Sequence, residues 1–224
     1  MRIAPIAVLP LRAGSKGLPG KNTRLLAGKP LFTYSIAHAR AAGIERVMIS
    51  TDIPEVLAAQ LGSDVTVTRR PEGLGADDTT MADVLRHVLS CEITGPATIV
   101  LLQATSPLRS PADICRAIDL HASGKYDLVM SVTPADSGVL KWGTAENGRF
   151  NALSNPEYCF ANRGDLPSVY RPDGAIYVFD ADWFRRVGAF SGGNIGVIIT
   201  APERAHDIDT TVDFEAVSDL IKSE

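Results

Sequence analysis

The sequence predicts an α/β fold in which helices cover both faces of a mostly parallel β-sheet. Strand-like and helix-like segments alternate along most of the 224 residues, an order typical of three-layer α/β/α proteins. The apolar run TIVLL at 98–102 has the composition of a strand that is buried on both faces. Polar segments that begin at Arg12, Ser50 and Gln103 each follow an apolar run, and ligands bind such sheets at the carboxyl ends of their strands.

The alternation is clearest in the first half of the chain. Strands are predicted at 6–11, 46–50, 65–68 and 98–102. Helices are predicted at 30–42, 54–61, 79–89 and 111–122. In the first of these helices Leu31, Tyr34 and His38 share one face, and Gly43 follows as a stop signal. The last has Ser110 as a candidate N-cap and a proline in its first position.

An irregular stretch at 134–172 interrupts this order. It is polar, rich in glycine and asparagine, and too long for a plain loop in a compact domain. A strand is predicted before it at 128–132. Strands at 175–179 and 196–200 and helices at 181–187 and 211–221 are predicted after it. We therefore predict a single domain over residues 1–224 in which 134–172 forms an additional segment.

Composition excludes several classes of protein. Hydrophobic residues make up 45% of the chain and charged residues 21%, which is ordinary for a globular protein. The net charge is −4 and there is no lysine- or arginine-rich run, so no nucleic-acid partner is expected. The pattern of a cleavable leader and an apolar run of 18 residues are both missing, which predicts a cytoplasmic protein without a membrane partner.

The three cysteines, Cys91, Cys115 and Cys159, are odd in number and far apart. This spacing argues against a disulfide framework and against a zinc site. We expect them to be buried thiols in a reducing compartment.

Residues 9–22 (LPLRAGSKGLPGKN) form a loop suited to a polyanion. Three glycines allow the backbone to approach a ligand and to adopt positive φ, while Arg12, Lys16 and Lys21 supply positive charge. The loop lacks the Ser/Thr that follows lysine in a Walker A motif, and its glycine spacing differs from that of a dinucleotide-binding fingerprint. A loop that only makes tight turns remains the alternative.

Asp207 and Asp209 are candidate ligands for a divalent cation. Side chains two residues apart in an extended segment point the same way, so both carboxylates can face one Mg²⁺. A solvated turn or a cap of the following helix is the alternative. The four histidines form no ligand cluster in the sequence.

Several motifs in order resemble the acylneuraminate cytidylyltransferase family, also known as the CMP-sialic acid synthetases. They are LRAGSKGLPGKN at 11–22, STD at 50–52, RP at 70–71, LQATSPLR at 102–109, RPDGAIY at 171–177 and DIDT at 207–210. The resemblance covers almost the whole chain. It implies a Rossmann-like fold of the nucleotide-diphospho-sugar transferase type. It also implies transfer of CMP from CTP to the anomeric hydroxyl of a nine-carbon keto acid (a nonulosonic acid), with release of pyrophosphate.

The resemblance also implies roles for individual residues. Catalytic roles fall on Lys21, Arg12 and Asp209. Nucleotide binding falls on Leu11, Arg12, Ala13, Gly14, Ser15, Lys16, Asn22 and Arg70, with the region around Asp78 and Thr79 near the base. Sugar binding falls on Gln103, Arg163 and Tyr177. The metal, Mg²⁺ or Mn²⁺, falls to Asp207 and Asp209. The segment 134–172 is expected to mediate a homodimer and to reach toward the partner's site, with a lid that needs no partner as the alternative.

Departures from the family pattern lie around the sugar. Ala104 replaces a proline, Gly164 replaces a glutamine, and Asp173 replaces an asparagine. The chain also has one additional residue near 74–78. N-acetylneuraminate and legionaminate or a related acid are therefore both candidate acceptors, ahead of an octulosonate.

Two further hypotheses stay open. One is a guanylyl- or uridylyltransferase that acts on a sugar phosphate, for which Arg163 and Arg171 could bind the acceptor phosphate. The other is a non-catalytic nucleotide-binding protein, since a fold does not fix a function.

Overall fold

The computed structural model describes residues 4–76 and 78–223. The strands in these residues are β1 (Pro5–Leu11), β2 (Leu25–Leu26), β3 (Lys29–Pro30), β4 (Arg46–Thr51), β5 (Val65–Arg69), β6 (Thr98–Leu102), β7 (Leu128–Ala135), β8 (Gly143–Glu146), β9 (Arg149–Ala152), β10 (Val169–Asp180) and β11 (Ile195–Ile199). The α-helices are α1 (Leu31–Ala41), α2 (Pro54–Leu57), α3 (Met81–Cys91), α4 (Pro111–His121), α5 (Ala181–Val187) and α6 (Thr211–Ser223).

The central sheet has the strand order β11-β7-β10-β6-β1-β4-β5. Strands β6, β1, β4 and β5 run parallel to one another, and β11 runs parallel to β7. Strand β10 lies between β6 and β7 and is antiparallel to both. The mostly parallel sheet and its flanking helices confirm the predicted three-layer α/β fold.

The two faces of β1 pack into different cores because alternate side chains of a strand point to opposite faces. Ala7 and Leu9 join a buried cluster with residues of α1 and α4. Ile6 and Val8 join a second cluster with residues of α3 and α5. Helices therefore cover both faces of the sheet, as the apolar composition of its strands predicts.

A third, smaller cluster connects the glycine loop to the end of the chain. It contains Leu18, Leu26, Leu31, Ile208, Phe214 and Val217. Because Leu18 and Ile208 are both essentially inaccessible to solvent, this packing fixes the loop beside the Asp-Ile-Asp segment. The cluster thus brings together two parts of the chain that are far apart in sequence.

Some predicted bounds were wrong. Helix α2 ends at Leu57 instead of 61, and the carbonyl of Leu61 accepts a hydrogen bond from Arg40 of α1. Strands β7 and β10 extend into the stretch that was predicted to be irregular, because Val169 pairs with Ala135 in an antiparallel ladder. Between these strands β8 and β9 form a hairpin. Pairing across so many residues leaves no local sequence pattern.

The cysteines differ from expectation as well. All three are free, but Cys91 and Cys115 are exposed and Cys159 is half-buried, so the predicted burial was wrong. Cys91 ends α3 and Cys115 lies on the outer side of α4, where helical periodicity does not require an apolar contact. Across the described residues, no helix has the length and apolar character that crossing a membrane would need.

Candidate active site

A cavity of about 440 Å³ opens at the carboxyl ends of the parallel strands. Its walls are contributed by the glycine loop after β1, the segments after β5 and β6, and the segment before α6. The predicted residues that line it are Arg12, Ser15, Lys16, Lys21, Asn22, Arg70, Gln103, Asp207 and Asp209. The structure therefore places the predicted metal residues, most of the predicted nucleotide residues and one predicted sugar residue around one opening, whereas Leu11, Ala13, Gly14 and Asp78 are not part of its lining.

The three glycines of the loop have different structural roles. Gly20 adopts φ 65°, the left-handed conformation that favours glycine. Gly17 has an ordinary φ, but a Cβ on it would overlap the backbone carbonyl oxygen of Asp209. Gly14 has neither constraint, since no atom of the described residues lies within 4 Å of its Cβ position. The expectation of positive φ is confirmed for Gly20 alone, and close approach explains Gly17.

Lys21 and Asp209 form an ion pair across the cavity wall. The Lys21 ammonium lies 2.9 Å from the Asp209 Oδ1 atom. The lysine side chain is only 10% exposed, whereas the aspartate side chain is 70% exposed. A buried ammonium with one carboxylate partner is a strong local positive charge that an incoming phosphate can share.

The two aspartates are presented by a short anchored segment. Ile208, which stands between them, is fully buried and donates its N–H to the carbonyl of Thr105 at 2.8 Å. With Ile208 pointing into the protein, Asp207 and Asp209 both reach the cavity. Although Asp207 contacts solvent there, the surrounding walls remove much of its hydration and raise the pKa of its carboxyl.

Asp213, and not Asp209, caps helix α6. The Asp213 carboxylate accepts the backbone N–H groups of Asp209 and Thr210, at 3.1 and 2.8 Å. The Thr210 hydroxyl accepts the N–H of Asp213 at 3.3 Å, which completes a capping box. The alternative role for Asp209 as a helix cap is therefore not needed, and its side chain is available to the cavity.

The donor set fits a hard divalent cation that is shared with a ligand. Among residues 4–76 and 78–223, no group of three or more His, Cys, Asp or Glu side chains could hold a metal by itself. Mg²⁺ is typically bound by one or two carboxylates together with substrate phosphates and water. Asp207 and Asp209 supply that number of carboxylates next to a cavity that also contains Arg12 and Lys21.

The start of the loop is held by hydrogen bonds within the protein. The Ala13 N–H donates to Asp52 Oδ1 at 2.8 Å, and the Ala13 carbonyl accepts the Ser15 N–H at 3.1 Å. Asn22 donates its side-chain amide to the Arg12 carbonyl at 2.9 Å. Both backbone groups of Ala13 thus have partners, and Leu11 is fully buried. Asp52 is a residue that the predicted site did not include, although its position directly after β4 is a signal for it.

Arg70 is a buried guanidinium at the edge of the cavity. Only 5% of the residue is exposed, and one of its terminal nitrogens donates to the carbonyl of Ser50 at 3.1 Å. Its Nε is buried and has no partner among the described residues. Burial lowers the pKa of this guanidinium. Thr79, from the predicted base region, lines the same cavity, whereas Asp77 lies outside the described residues.

The predicted sugar residues are not all brought together. Gln103 lines the cavity, but Tyr177 does not, and its ring packs against Phe190 with 5.4 Å between centroids. Arg163 is 81% exposed in the 134–172 segment, 3.8 Å from Asp136. The roles of Tyr177 and Arg163 remain predictions.

A loop of cations faces two carboxylates beyond the carboxyl ends of parallel strands, which is where sheets of this kind bind their ligands. The family model described as Cytidylyltransferase matches residues 6–181, and the chain belongs to that family. The matched region includes the glycine loop, Arg70 and Gln103 but ends before Asp207 and Asp209.

Two relatives with assigned names match most of this chain. The N-acylneuraminate cytidylyltransferase of Streptococcus agalactiae serotype III (strain NEM316) is 32% identical over 221 residues, 94% of this chain and 51% of that protein. The CMP-N,N'-diacetyllegionaminic acid synthase of Legionella pneumophila is 34% identical over an alignment of 238 positions, which covers 99% of this chain and 97% of that protein. The chain thus spans about half the length of the N-acylneuraminate cytidylyltransferase and almost all of the Legionella protein.

Solved structures support the fold. A CMP:2-keto-3-deoxy-manno-octonic acid synthetase complexed with CTP superposes with a TM-score of 0.72, at 21% identity and 98% coverage of both chains. A 4-diphosphocytidyl-2C-methyl-D-erythritol synthase superposes with a TM-score of 0.69, at 15% identity and 99% coverage of both chains.

Proposed function

We propose that this protein transfers CMP from CTP to the anomeric hydroxyl of a sialic-acid-like nine-carbon keto acid and releases pyrophosphate. The observation that carries this proposal is the pairing of Lys21 with Asp209 at 2.9 Å inside the cavity. It joins a phosphate-binding loop to a candidate metal ligand, the two parts that transfer from a nucleoside triphosphate requires. The names of both characterised relatives support the choice of cytidine.

The chain's own residues neutralise and orient the triphosphate. Phosphoryl transfer depends mainly on positioning and on stabilising spread negative charge. Lys21, Arg12 and Lys16 surround the cavity with positive charge, and the loop backbone adds N–H donors. A preorganised donor of this kind is worth about 3 kcal/mol of transition-state stabilisation.

Asp207 and Asp209 would hold the metal, Mg²⁺ or alternatively Mn²⁺. When bound, such an ion acts as a Lewis acid on phosphoryl oxygens. Asp209 also accepts a hydrogen bond from the Lys21 ammonium. This contact fixes the position of the lysine charge and of the glycine loop relative to the candidate metal ligand. The close approach of Gly17 to the Asp209 backbone maintains the same orientation.

The acceptor would bind beside Gln103, the predicted sugar residue in the cavity wall. Arg163 has the planar donor fork that suits a carboxylate, and it projects from the 134–172 segment. We assign it to the acceptor carboxylate in a homodimer. Legionaminate is the second candidate acceptor, because the Legionella relative is matched over 97% of its length.

The surface of the 134–172 segment supports a homodimer. Several large apolar side chains are exposed on it, and exposed apolar patches mark interaction sites. They are Val139, Trp142, Phe150, Leu153, Phe160 and Tyr170. We also propose that the protein acts in the cytoplasm, in keeping with three free cysteines.

The test is pyrophosphate release from CTP and Mg²⁺ with N-acetylneuraminate, a legionaminate and an octulosonate as acceptors. Release that depends on a nine-carbon acid is expected. GTP or UTP with sugar phosphates forms a second arm, which tests the guanylyl- or uridylyltransferase hypothesis. No release with any keto acid would overturn the proposed function.

A further inference from the structure

Two side chains of opposite charge, Arg109 and Asp173, are buried near Gln103, the predicted sugar residue in the cavity wall. Arg109 is 3% exposed and Asp173 is 4% exposed. Neither side chain lines the cavity. Burial lowers the pKa of the Arg109 guanidinium to about 9, and the Asp173 carboxylate opposes this effect. Burying two charges is costly unless their hydrogen bonds are satisfied, so the contacts of each group show its role.

Arg109 connects two segments of main chain that lie next to each other in the sheet. Its Nε donates to the Ala175 carbonyl at 2.8 Å, and one terminal nitrogen donates to the Gln103 carbonyl at 2.5 Å. The other terminal nitrogen donates to the hydroxyl of Ser35 at 3.1 Å. Gln103 directly follows β6, and Ala175 belongs to β10, which pairs with β6. The guanidinium therefore fixes the main chain at Gln103 and at Ala175, on the two neighbouring strands.

Asp173 stabilises an irregularity in β10. The register of β10 against β7 shifts between Pro172 and Tyr177, so the backbone groups there lose their normal strand partners. Side chains take over this role. Asp173 Oδ1 accepts the Ala175 N–H at 3.0 Å, and the Ser131 hydroxyl accepts the Ile176 N–H at 2.9 Å.

The remaining donors complete the environment of the carboxylate. The Ser131 hydroxyl donates to Asp173 Oδ1, and the Thr200 hydroxyl donates to Oδ2 at 2.6 Å. The Ala175 N–H and the two hydroxyls all donate to this carboxylate, and an ionised carboxylate can only accept hydrogen bonds.

The irregularity places Gly174 against the side chain of Gln103. Gly174 adopts φ 77°, and its Cβ position lies 3.7 Å from Gln103 Nε2. The Gln103 amide therefore rests on the backbone that Asp173 and Arg109 hold in place. Irregular strand positions of this kind commonly redirect a side chain next to an active site.

We propose that Arg109 and Asp173 are positioning residues that together fix the main chain around Gln103 and thereby the orientation of its amide toward the acceptor. The proposal rests on the proposed function, in which Gln103 contacts the sugar. Neither residue touches a substrate. The pair would determine acceptor binding without affecting the triphosphate.

The substitution Asp173→Asn isolates the charge from the hydrogen bonds. The amide oxygen can still accept from Ala175, and the amide nitrogen can donate to the Thr200 hydroxyl. That hydroxyl can then donate to the Val132 carbonyl, which lies 3.1 Å away. The variant thus keeps the network but leaves the buried Arg109 without its counter-charge. Arg109→Met removes the other partner.

Kinetics provide the first test. Asparagine is the usual residue of the family at this position, so the variant tests whether this chain depends on the charge itself. Asp173→Asn is expected to raise KM for the keto acid about tenfold with KM for CTP changed by less than about twofold, since a displacement of 1 Å in an orienting group can cost up to about a hundredfold. Leu89→Ala is a matched control, because Leu89 is buried in the cluster on the other face of the sheet. It should lower thermal stability and leave both KM values unchanged.

A second test does not need turnover. The chain contains only two glutamines, Gln60 and Gln103, so selective ¹⁵N-glutamine labelling gives two pairs of side-chain amide signals. Asp173→Asn and Arg109→Met should shift the Gln103 signals and leave those of the exposed Gln60 in place as an internal control. Unchanged Gln103 signals and an unchanged KM for the keto acid in Asp173→Asn would overturn the proposal, whether or not Arg109→Met folds.

The two proposals can fail separately. Wild-type protein that releases no pyrophosphate with any keto acid would overturn the proposed function. The Gln103 signals would still decide whether Arg109 and Asp173 position that side chain.

Discussion

The Lys21 ammonium and the Asp209 carboxylate meet at 2.9 Å although 188 residues separate them in the chain. The lysine side chain is almost completely buried, and the aspartate faces the cavity. The pair thus links the loop that would hold the triphosphate to the segment that would hold its metal ion.

Replacing Lys21 by methionine should reduce kcat/KM for CTP by a factor of about 10² to 10³, the usual cost of losing one preorganised donor. The aliphatic part of the side chain is retained, so folding should be preserved. Steady-state kinetics with CTP as the varied substrate measure the effect. Lys29→Met is the matched control, because Lys29 is exposed on β3, away from the cavity lining. Equal activities of the two variants would contradict the role of Lys21.

Substitution of Asp209 should reduce turnover, whereas substitution of Asp213 should reduce thermal stability. Asp209→Asn should lose about a hundredfold or more in Mg²⁺-dependent turnover, since a metal ligand supplies several kcal/mol of charge stabilisation. Its melting temperature should change little, because its carboxylate does not cap α6 and the asparagine oxygen, on a side chain that is 70% exposed, can still accept the Lys21 hydrogen bond. Asp213→Ala should instead lower the melting temperature by about 2–4 °C, the effect of losing a cap worth about 1 kcal/mol. Measurements of turnover and thermal unfolding for both variants test this contrast. Mg²⁺-dependent turnover that persists in Asp209→Asn would contradict the role of Asp209 as a metal ligand.

Gly17 should be far more sensitive to substitution than Gly14. A Cβ on Gly17 would overlap the Asp209 carbonyl oxygen, whereas a Cβ on Gly14 would meet no atom within 4 Å in the part of the chain that the structure describes. Gly17→Ala should therefore destabilise the protein by about 1–3 kcal/mol through overpacking and also weaken CTP binding. Urea unfolding and titration with CTP measure the two effects. Gly14→Ala should retain wild-type stability, and an equal loss in both variants would contradict the close contact between loop and aspartate segment.

His38 should make the protein less stable in acid. Burial, with a smaller contribution from the nearby Arg109 charge, lowers the pKa of His38 from 6.5 to about 4. Below pH 6.5 the unfolded chain binds a proton that the folded protein does not bind until about pH 4. The free energy of unfolding should therefore fall as pH falls through this range, by roughly 3 kcal/mol from this group.

Urea unfolding at pH 7, 6, 5 and 4 measures this loss. His38→Gln removes the titrating group and should give a shallower pH dependence between pH 6.5 and 4. A His38 C2-proton resonance that titrates near pH 6.5 would refute the predicted neutral state.

The apolar surface of the 134–172 segment should control the oligomeric state. Phe160 is 92% exposed, and Phe160→Asp is expected to shift a dimer toward monomer by placing a charge in the interface. Light scattering after size exclusion gives the mass of each species. Val212→Asp is the control, because Val212 is 73% exposed on α6, outside the segment. A wild-type protein that is monomeric at every concentration would refute the homodimer.

The sequence by itself determines the order of the elements and the chemical character of the site. The continuous apolar run of β1 is a local property, and so is the spacing of the glycines and cations that follow it. Local periodicity is encoded within a few residues, which is why the bounds of α4, α5 and β6 agree closely with prediction. The motif that contains Asp207 and Asp209 could be recognised in the same way.

Only the tertiary structure decides which of these residues meet. Lys21 reaches Asp209 because Leu18 and Ile208 are buried in one cluster, and the free energy of that packing is summed over residues from distant parts of the chain. The antiparallel insertion of β10 and the contacts of Arg109 with Ser35 and Ala175 arise in the same way. No window of sequence contains both partners of these contacts, so neither the pairing of Lys21 with Asp209 nor the burial of Asp173 could be assigned before the fold was known.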